Sequence, residues 1–133
     1  MAPRILVIED NSANLELVRY LLTHSGYTVL AAQDGAQGVA MARQERPELV
    51  ICDLQLPNLD GYQVLAQLRG DPETAKLVVV AVTAFSMPHD RLKVLTAGFD
   101  GYFLKPIEPE IFVSQIEAFL PAGSRTKHPS VSA

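Results

Sequence analysis

The chain of 133 residues contains a single cysteine and no tryptophan. Cys52 cannot form a disulfide within the chain or build a zinc cluster, which is typical of proteins from a reducing compartment. The longest apolar run, Leu77 to Val82, is far shorter than the roughly 18 residues that cross a membrane. Met1 to Asp10 holds an apolar run too short for a signal peptide. We therefore expect a soluble protein of the cytoplasm.

Positive charge is also scarce. Eleven Lys and Arg stand against fifteen Asp and Glu, which leaves a net charge of −4. Without a basic patch, nucleic acid is not an expected partner. The hydrophobic fraction of 48% is typical of a folded globular chain. We expect one domain over residues 1–121, followed by a flexible tail or linker over 122–133, which is rich in Ser and small residues without periodicity.

Five apolar, β-branched-rich runs alternate with five segments of helical spacing. Strands are predicted at Arg4 to Ile8, Thr28 to Ala31, Leu49 to Cys52, Leu77 to Val82 and Tyr102 to Leu104. Helices are predicted at Ser12 to Ser25, Gly35 to Glu45, Tyr62 to Arg69, Pro88 to Ala97 and Pro109 to Leu120. Regular alternation of buried strands with helices predicts an α/β fold, in which helices cover both faces of a parallel sheet.

Polar side chains follow four of the predicted strands. Glu9 and Asp10 follow the first, Asp53 the third, Thr83 the fourth and Lys105 the fifth. Ligands of open parallel sheets bind beyond the carboxyl ends of the strands. If the strand order places these four strands side by side, three carboxylates, one hydroxyl and one ammonium meet at one edge of the sheet.

This set of groups predicts phosphoryl transfer. Three neighbouring carboxylates repel one another, so a cation is expected among them. Hard oxygen ligands without His or Cys favour Mg²⁺, with Mn²⁺ as a second fitting ion. A threonine and a lysine beside the cation would bind the other oxygens of a phosphoryl group. A carboxylate can itself act as the nucleophile and become an aspartyl phosphate.

Five separated motifs stand in order along residues 4–120. They are Ile8-Glu9-Asp10-Asn11, Asp53 with Leu56-Pro57-Asn58-Leu59-Asp60-Gly61 behind it, Thr83-Ala84, Tyr102, and Lys105-Pro106. Together they resemble the receiver domain of two-component response regulators. The resemblance, to chemotaxis regulators in particular, implies a doubly wound, flavodoxin-like sheet of five parallel strands in the order 2-1-3-4-5 with five helices.

The resemblance also implies a role for each group. Asp53 would be the phosphoacceptor, Thr83 and Lys105 would bind the phosphoryl group, and Thr83 and Tyr102 would form the switch. The metal would be held by Asp10, Asp53, the backbone carbonyl of Gln55 and, through water, Glu9. The Lys105-Pro106 peptide bond would be cis, which costs little before proline.

The implied function is signalling. A histidine kinase or histidine phosphotransfer protein would pass a phosphoryl group to Asp53, and the face of helix 4, strand 5 and helix 5 would then act on a downstream target. Such a receiver is not an enzyme beyond its own phosphorylation and dephosphorylation. The protein would be a monomer or a weak, phosphorylation-dependent homodimer without a membrane partner. Because no output domain follows residue 120, we expect a stand-alone receiver or one cut from a hybrid kinase.

Two expectations concern access to the acceptor. Phe85 is large and apolar, and we expect it to limit water access and slow hydrolysis of the acyl phosphate.

The apolar residues of the first helix cover an arc of roughly 160°, wider than a helix needs to face a core. We expect its edge at Leu15 and Leu22 to be exposed and, with Pro106 and Ile107, to receive the phosphodonor.

Two other functions fit the same fold. An aspartate-nucleophile phosphatase would normally place a second acid two residues after Asp53, where this chain has Gln55. A flavodoxin-like mononucleotide binder would hold phosphate after the first strand, where Glu9 and Asp10 would repel it and no glycine-rich loop is present. Each polar residue alone has an ordinary role as a helix cap, a turn residue or a solvated charge. Their joint placement favours the signalling function.

Overall fold

A computed structural model describes residues 3–84 and 88–120, with the side chains of the second range from residue 91 onward. The strands are β1 (Arg4–Ile8), β2 (Thr28–Ala32), β3 (Leu49–Asp53), β4 (Val79–Thr83) and β5 (Gly101–Leu104). The helices are α1 (Ser12–His24), α2 (Gly35–Glu45), α3 (Gly61–Arg69), α4 (Pro88–Ala97) and α5 (Pro109–Glu117). Phe85 and the predicted tail over 122–133 lie outside the described residues.

The five strands form one parallel sheet in the order β2-β1-β3-β4-β5. The chain winds from β1 outward to β2 and then returns to the other side of β1 with β3. The predicted fold class and strand order are therefore confirmed. The reversal between β1 and β3 is the switch point at which open sheets of this kind bind ligands.

The core has one layer on each face of the sheet. Because side chains alternate along a strand, Ile5 and Val7 of β1 pack with α1 and α5, whereas Leu6 and Ile8 pack with the residues of α2, α3 and α4. All five residues of β3 and all five of β4 are buried. This burial explains why both strands are continuous apolar runs up to their last residue, Asp53 in β3 and Thr83 in β4. No helix in the described part of the chain is both long enough and apolar enough to span a bilayer.

The structure contradicts the predicted exposure of one edge of α1. Leu15 and Leu22 are 2% and 0% exposed and face the sheet, whereas Leu17 and Leu21 are half-buried. Helical spacing gives the width of the apolar arc but not which of its edges lies against the sheet. Leu15 and Leu22 are therefore core residues and cannot receive a partner. Pro106 is exposed and Ile107 is half-buried, and their docking role stays a prediction.

The edge of the sheet at the amino ends of the strands is joined by polar contacts centred on Arg69. Its guanidinium donates to the carbonyls of Leu77 and Gly98 and to the carboxylate of Asp100, at 2.6, 3.0 and 3.0 Å. Asp100 also accepts the N–H of Val79 at 2.8 Å. Because Arg69 binds the Leu77 carbonyl, β4 begins two residues later than the apolar run predicts.

Both ends of the described chain lie at this same edge. The Pro3 carbonyl accepts the N–H of Thr28 at 3.0 Å, at the start of β2. The hydroxyl of Tyr27, in the turn before β2, donates to the Glu117 carboxylate at the end of α5 at 2.5 Å. The helix predicted to reach Leu120 ends at Glu117, because the N–H of Leu120 bonds three residues back to Glu117 in a tighter turn.

Candidate functional site

Three carboxylates meet where β1 and β3 end. Glu9 and Asp10 follow β1, and Asp53 is the last residue of β3. One carboxylate oxygen from each lies within 4.8 Å of the other two. The neighbouring strands β1 and β3 bring these groups together at the switch point of the sheet. The structure thus places the three predicted carboxylate ligands in one cluster.

The cluster has a buried floor and an open mouth. Glu9 is 5% exposed and Asp53 is 3% exposed, whereas Asp10 is exposed to solvent. Buried carboxylates require partners because an isolated buried charge is costly. The partners of Glu9 and Asp53 therefore determine the chemistry of the site.

Asp53 is held by one hydrogen bond to each of its oxygens. The backbone N–H of Gln55 donates to Oδ1 at 3.0 Å, and the ammonium of Lys105 donates to Oδ2 at 2.7 Å. The Gln55 N–H is a donor that was not predicted from the sequence. The sequence feature that could have indicated this bond is an Asp placed two residues before a loop N–H, because Asp side chains in turns commonly accept a hydrogen bond from that position.

Lys105 is fixed by its own backbone. Its N–H donates to the Thr83 carbonyl at the end of β4 at 2.8 Å, and the following peptide bond to Pro106 is cis, as predicted. From this position the ammonium reaches Asp53 and also lies 3.4 Å from Oε1 of Glu9. One cation thus bridges the two buried carboxylates.

Glu9 is fixed by the loop that begins α1. The backbone N–H of Asn11 donates to its Oε2 at 3.0 Å. Asn11 is itself the N-cap of α1, because its side-chain oxygen accepts the N–H of Asn14 at 2.9 Å. The start of this helix therefore sets the position of a carboxylate in the site.

Burial raises the pKa of Glu9 from 4.5 to about 7. The N–H of Asn11 opposes this change, the neighbouring charge of Asp53 adds to it, and Lys105 offsets a smaller part. Without a further cation, Glu9 retains its proton for about half of the time near neutral pH.

Burial also acts to lower the pKa of the Lys105 ammonium, but other effects are larger in sum. The hydrogen bond to Asp53 and the charges of Asp53 and Glu9 raise the pKa above its ordinary value. Lys105 is therefore positively charged at neutral pH.

Thr83 lies on β4, the strand beside that of Asp53, and Tyr102 lies on β5, one strand further out. Thr83 ends β4, is buried and is paired in register with Leu104 of β5. Tyr102 is half-buried, and its ring packs against the core layer under α2, α3 and α4. Their predicted roles as phosphoryl ligand and switch stay predictions, as does the metal role of the Gln55 carbonyl.

The donor set fits a divalent cation. Three carboxylates and one ammonium carry two net negative charges when all are ionised, and the raised pKa of Glu9 is the result of this unbalanced charge and its burial. The carboxylates offer only hard oxygen atoms, and the exposed Asp10 leaves the mouth open to water and to phosphate oxygens. These properties are the ones that Mg²⁺ requires of a protein site.

Comparison with known proteins gives consistent results. Residues 5–117 match the family described as the response regulator receiver domain. The chain is 35% identical over 120 residues to the polar-differentiation response regulator DivK of Brucella anthropi, a match that covers 90% of this chain and 98% of that protein.

Two solved structures are similar in fold. The chemotaxis response regulator CheY4 of Vibrio cholerae has a TM-score of 0.85 at 22% identity, covering 90% of this chain and all of that one. The receiver domain of the sensor histidine kinase PA1611 from Pseudomonas aeruginosa has a TM-score of 0.81 at 29% identity, covering 90% of this chain and 98% of that one. That receiver holds a magnesium ion in its active-site cleft.

Proposed function

Because the chain belongs to the response regulator receiver domain family, we propose that it accepts a phosphoryl group on Asp53 from a histidine kinase or histidine phosphotransfer protein. The observation that carries the proposal is the position of Asp53. Its carboxylate is buried, 2.7 Å from a fixed ammonium and inside a cluster of hard oxygen ligands. This is the arrangement expected of an aspartate that attacks phosphorus.

In the proposed reaction an oxygen of Asp53 attacks the phosphorus of a phosphohistidine. The new O–P bond forms as the P–N bond breaks, and the electron pair of that bond leaves with the imidazole. The Gln55 N–H holds the other carboxylate oxygen and so orients the attack. Lys105 is placed to turn from the Asp53 carboxylate to an oxygen of the transferred group.

Glu9, Asp10 and Asp53, with the Gln55 carbonyl, would hold magnesium, which when bound neutralises charge on the phosphoryl oxygens. Within this proposal a bound ion would favour the ionised form of Glu9, because its positive charge would lie close to that carboxylate. The Thr83 hydroxyl would hydrogen-bond the phosphoryl group. Manganese would fit the same oxygens.

The output of the proposed switch is the face formed by α4, β5 and α5. Its three elements carry four exposed large apolar side chains, Leu92 and Leu95 of α4, Leu104 of β5 and Ile111 of α5. Movement of Thr83 toward the phosphoryl group and of Tyr102 toward the interior would change this face, by a shift between two states that already exist. Pro106 and Ile107, beside Lys105, remain the proposed contact for the phosphodonor. The cytoplasm is the expected location.

Phosphorylation by acetyl phosphate tests the proposal. With magnesium present, intact-mass spectrometry should show one added phosphoryl group on the wild type and none on Asp53→Asn. Chelation of the metal should abolish the gain. Asp71→Asn is the matched control, because it makes the same change at a half-buried aspartate remote from the site, in an ion pair with Arg43. Equal labelling of wild type and Asp53→Asn would refute Asp53 as the acceptor.

A further inference from the structure

β5 is the outer strand of the sheet and, in the described part of the chain, pairs only with β4. The Lys105 N–H points to β4, because it donates to the Thr83 carbonyl. Since backbone groups alternate along a parallel strand, those of Gly101 and Phe103 also face β4, and those of Tyr102 and Leu104 face outward. Two N–H and two C=O groups are therefore presented at this edge.

A cavity lies beside the edge, on the side of α5. Its volume is about 420 Å³, and its lining includes Phe103, Ile107 and Phe112 as apolar walls and Glu108 and Gln115 as polar groups. A strand that paired with β5 would direct every second side chain to this side of the sheet. The cavity has room for one apolar side chain of such a strand.

Apart from its short length, β5 carries none of the side chains that usually protect an edge strand from pairing. Outer strands of natural sheets often carry a lysine, an inward-pointing charge or a proline. β5 has the sequence Gly-Tyr-Phe-Leu, and Leu104 is 47% exposed. Pro106 lies beyond the strand. The short length of β5 limits pairing to a few hydrogen bonds, so that the cavity must supply much of the affinity.

On the α5 side of the edge the charged side chains are all acidic. Glu108 and the helix that follows it carry three carboxylates, on Glu108, Glu110 and Glu117, and α5 contains no Lys or Arg. Glu117 is bonded to Tyr27 at the far end of the helix. Glu108, which lines the cavity, thus favours a ligand with positive charge.

We propose that the outer edge of β5 binds an extended segment of a partner protein as a sixth strand. An apolar side chain of that segment enters the cavity, and a flanking Lys or Arg pairs with Glu108. A second copy of this chain is a poorer occupant, because α4 and α5 cover opposite faces of the sheet at β5 and two such edges would bring helix against helix. This proposal specifies the kind of partner that would bind the face of α4, β5 and α5. It rests on the proposed function only in that the proposed function assigns output to this face.

Selection from a random peptide library displayed on phage tests this inference, with the unphosphorylated wild type and Asp53→Asn as targets. Enriched peptides should contain an apolar residue flanked by Lys or Arg. On binding of the synthetic peptide, amide hydrogen exchange should slow about tenfold or more at Tyr102 and Leu104. The Phe103 amide, already bonded to β4, should change little. A helix docked on the same face would not produce this alternation.

Two matched pairs of variants sharpen the test. Leu104→Pro removes the outward N–H of residue 104 and leaves the bonds to β4 intact. Leu104→Ser keeps that N–H. Only the proline variant should therefore abolish the slowed exchange at Tyr102. Glu108→Lys should raise the Kd of a basic peptide about tenfold, and Glu16→Lys, an exposed glutamate on α1, should not.

Several results would overturn the proposal. They are the absence of any enriched peptide, peptides without basic residues, and uniform exchange across residues 101–104. The same alternating protection in concentrated protein alone, together with dimer formation, would make a second copy the occupant and refute the partner segment. Because Asp53→Asn is tested in parallel, a failure here is separable from a failure of the phosphoacceptor proposal.

Discussion

Replacement of Glu9 by glutamine should remove a pH dependence of stability that the buried site creates. Glu9 has a pKa of about 7 in the folded protein against 4.5 as its ordinary value. Between these values the unfolded chain has lost the proton and the folded chain still holds it, so the folded state loses stability as pH rises. Above pH 7 the full difference applies, at most about 3 kcal/mol from 1.36 kcal/mol per pH unit. A neutral glutamine avoids this loss.

Urea denaturation in the presence of a metal chelator, from pH 4 to pH 8, measures the effect. We expect Glu9→Gln to match the wild type near pH 4 and to become more stable than it by up to about 3 kcal/mol by pH 8. Glu16→Gln, at an exposed position of α1, is the control and should run parallel to the wild type. Parallel curves for Glu9→Gln as well would refute the raised pKa.

Magnesium should restore the stability that the folded wild type loses when Glu9 ionises, since the ion favours the ionised carboxylate. In the wild type, calorimetric titrations in buffers of different ionisation enthalpy should show proton release on magnesium binding below pH 7 and little above pH 8. Glu9→Gln should bind magnesium more weakly and release less proton. Equal proton release by the two proteins would mean that another group titrates.

Two further predictions concern the acceptor's cation and the packing of β5. Lys105→Met should slow phosphorylation by acetyl phosphate about a hundredfold, followed by intact mass, because Asp53 loses its partner at 2.7 Å. An unchanged rate of phosphorylation would show that the Lys105 ammonium does not contribute to the reaction. Gly101→Ala should lower the unfolding free energy in urea by about 1–3 kcal/mol, since the added carbon would lie 2.3 Å from the ring of Phe119. Phe119→Leu should recover part of the loss in the double variant, and additive losses would contradict this packing.

Much of the site could be predicted from sequence because it depends on strand ends. A parallel sheet brings carboxyl ends to one edge whatever the details of packing, so Glu9, Asp10, Asp53 and Lys105 meet once the strands are recognised. The order that makes these strands neighbours came from the resemblance, since periodicity does not distinguish one strand order from another.

The features that the sequence did not indicate depend on contacts between distant segments. The sheet lies against the Leu15 edge of α1, a choice that helical spacing leaves open. The Arg69 guanidinium takes the Leu77 carbonyl and shortens β4. The outward direction of the Tyr102 and Leu104 amides follows from the register of β5 against β4 together with the bond from the Lys105 N–H to the Thr83 carbonyl.

The two ends of the described chain lie at the edge of the sheet opposite the carboxylate cluster, since Pro3 pairs at the start of β2 and Glu117 meets Tyr27. A fluorescent label, an affinity tag or a surface tether attached directly at Pro3 or Glu117 would consequently lie on the opposite side of the molecule from Asp53. Immobilised or labelled protein should therefore leave the approach of a phosphodonor unobstructed, and kinetic measurements on such material should report the behaviour of the untethered chain.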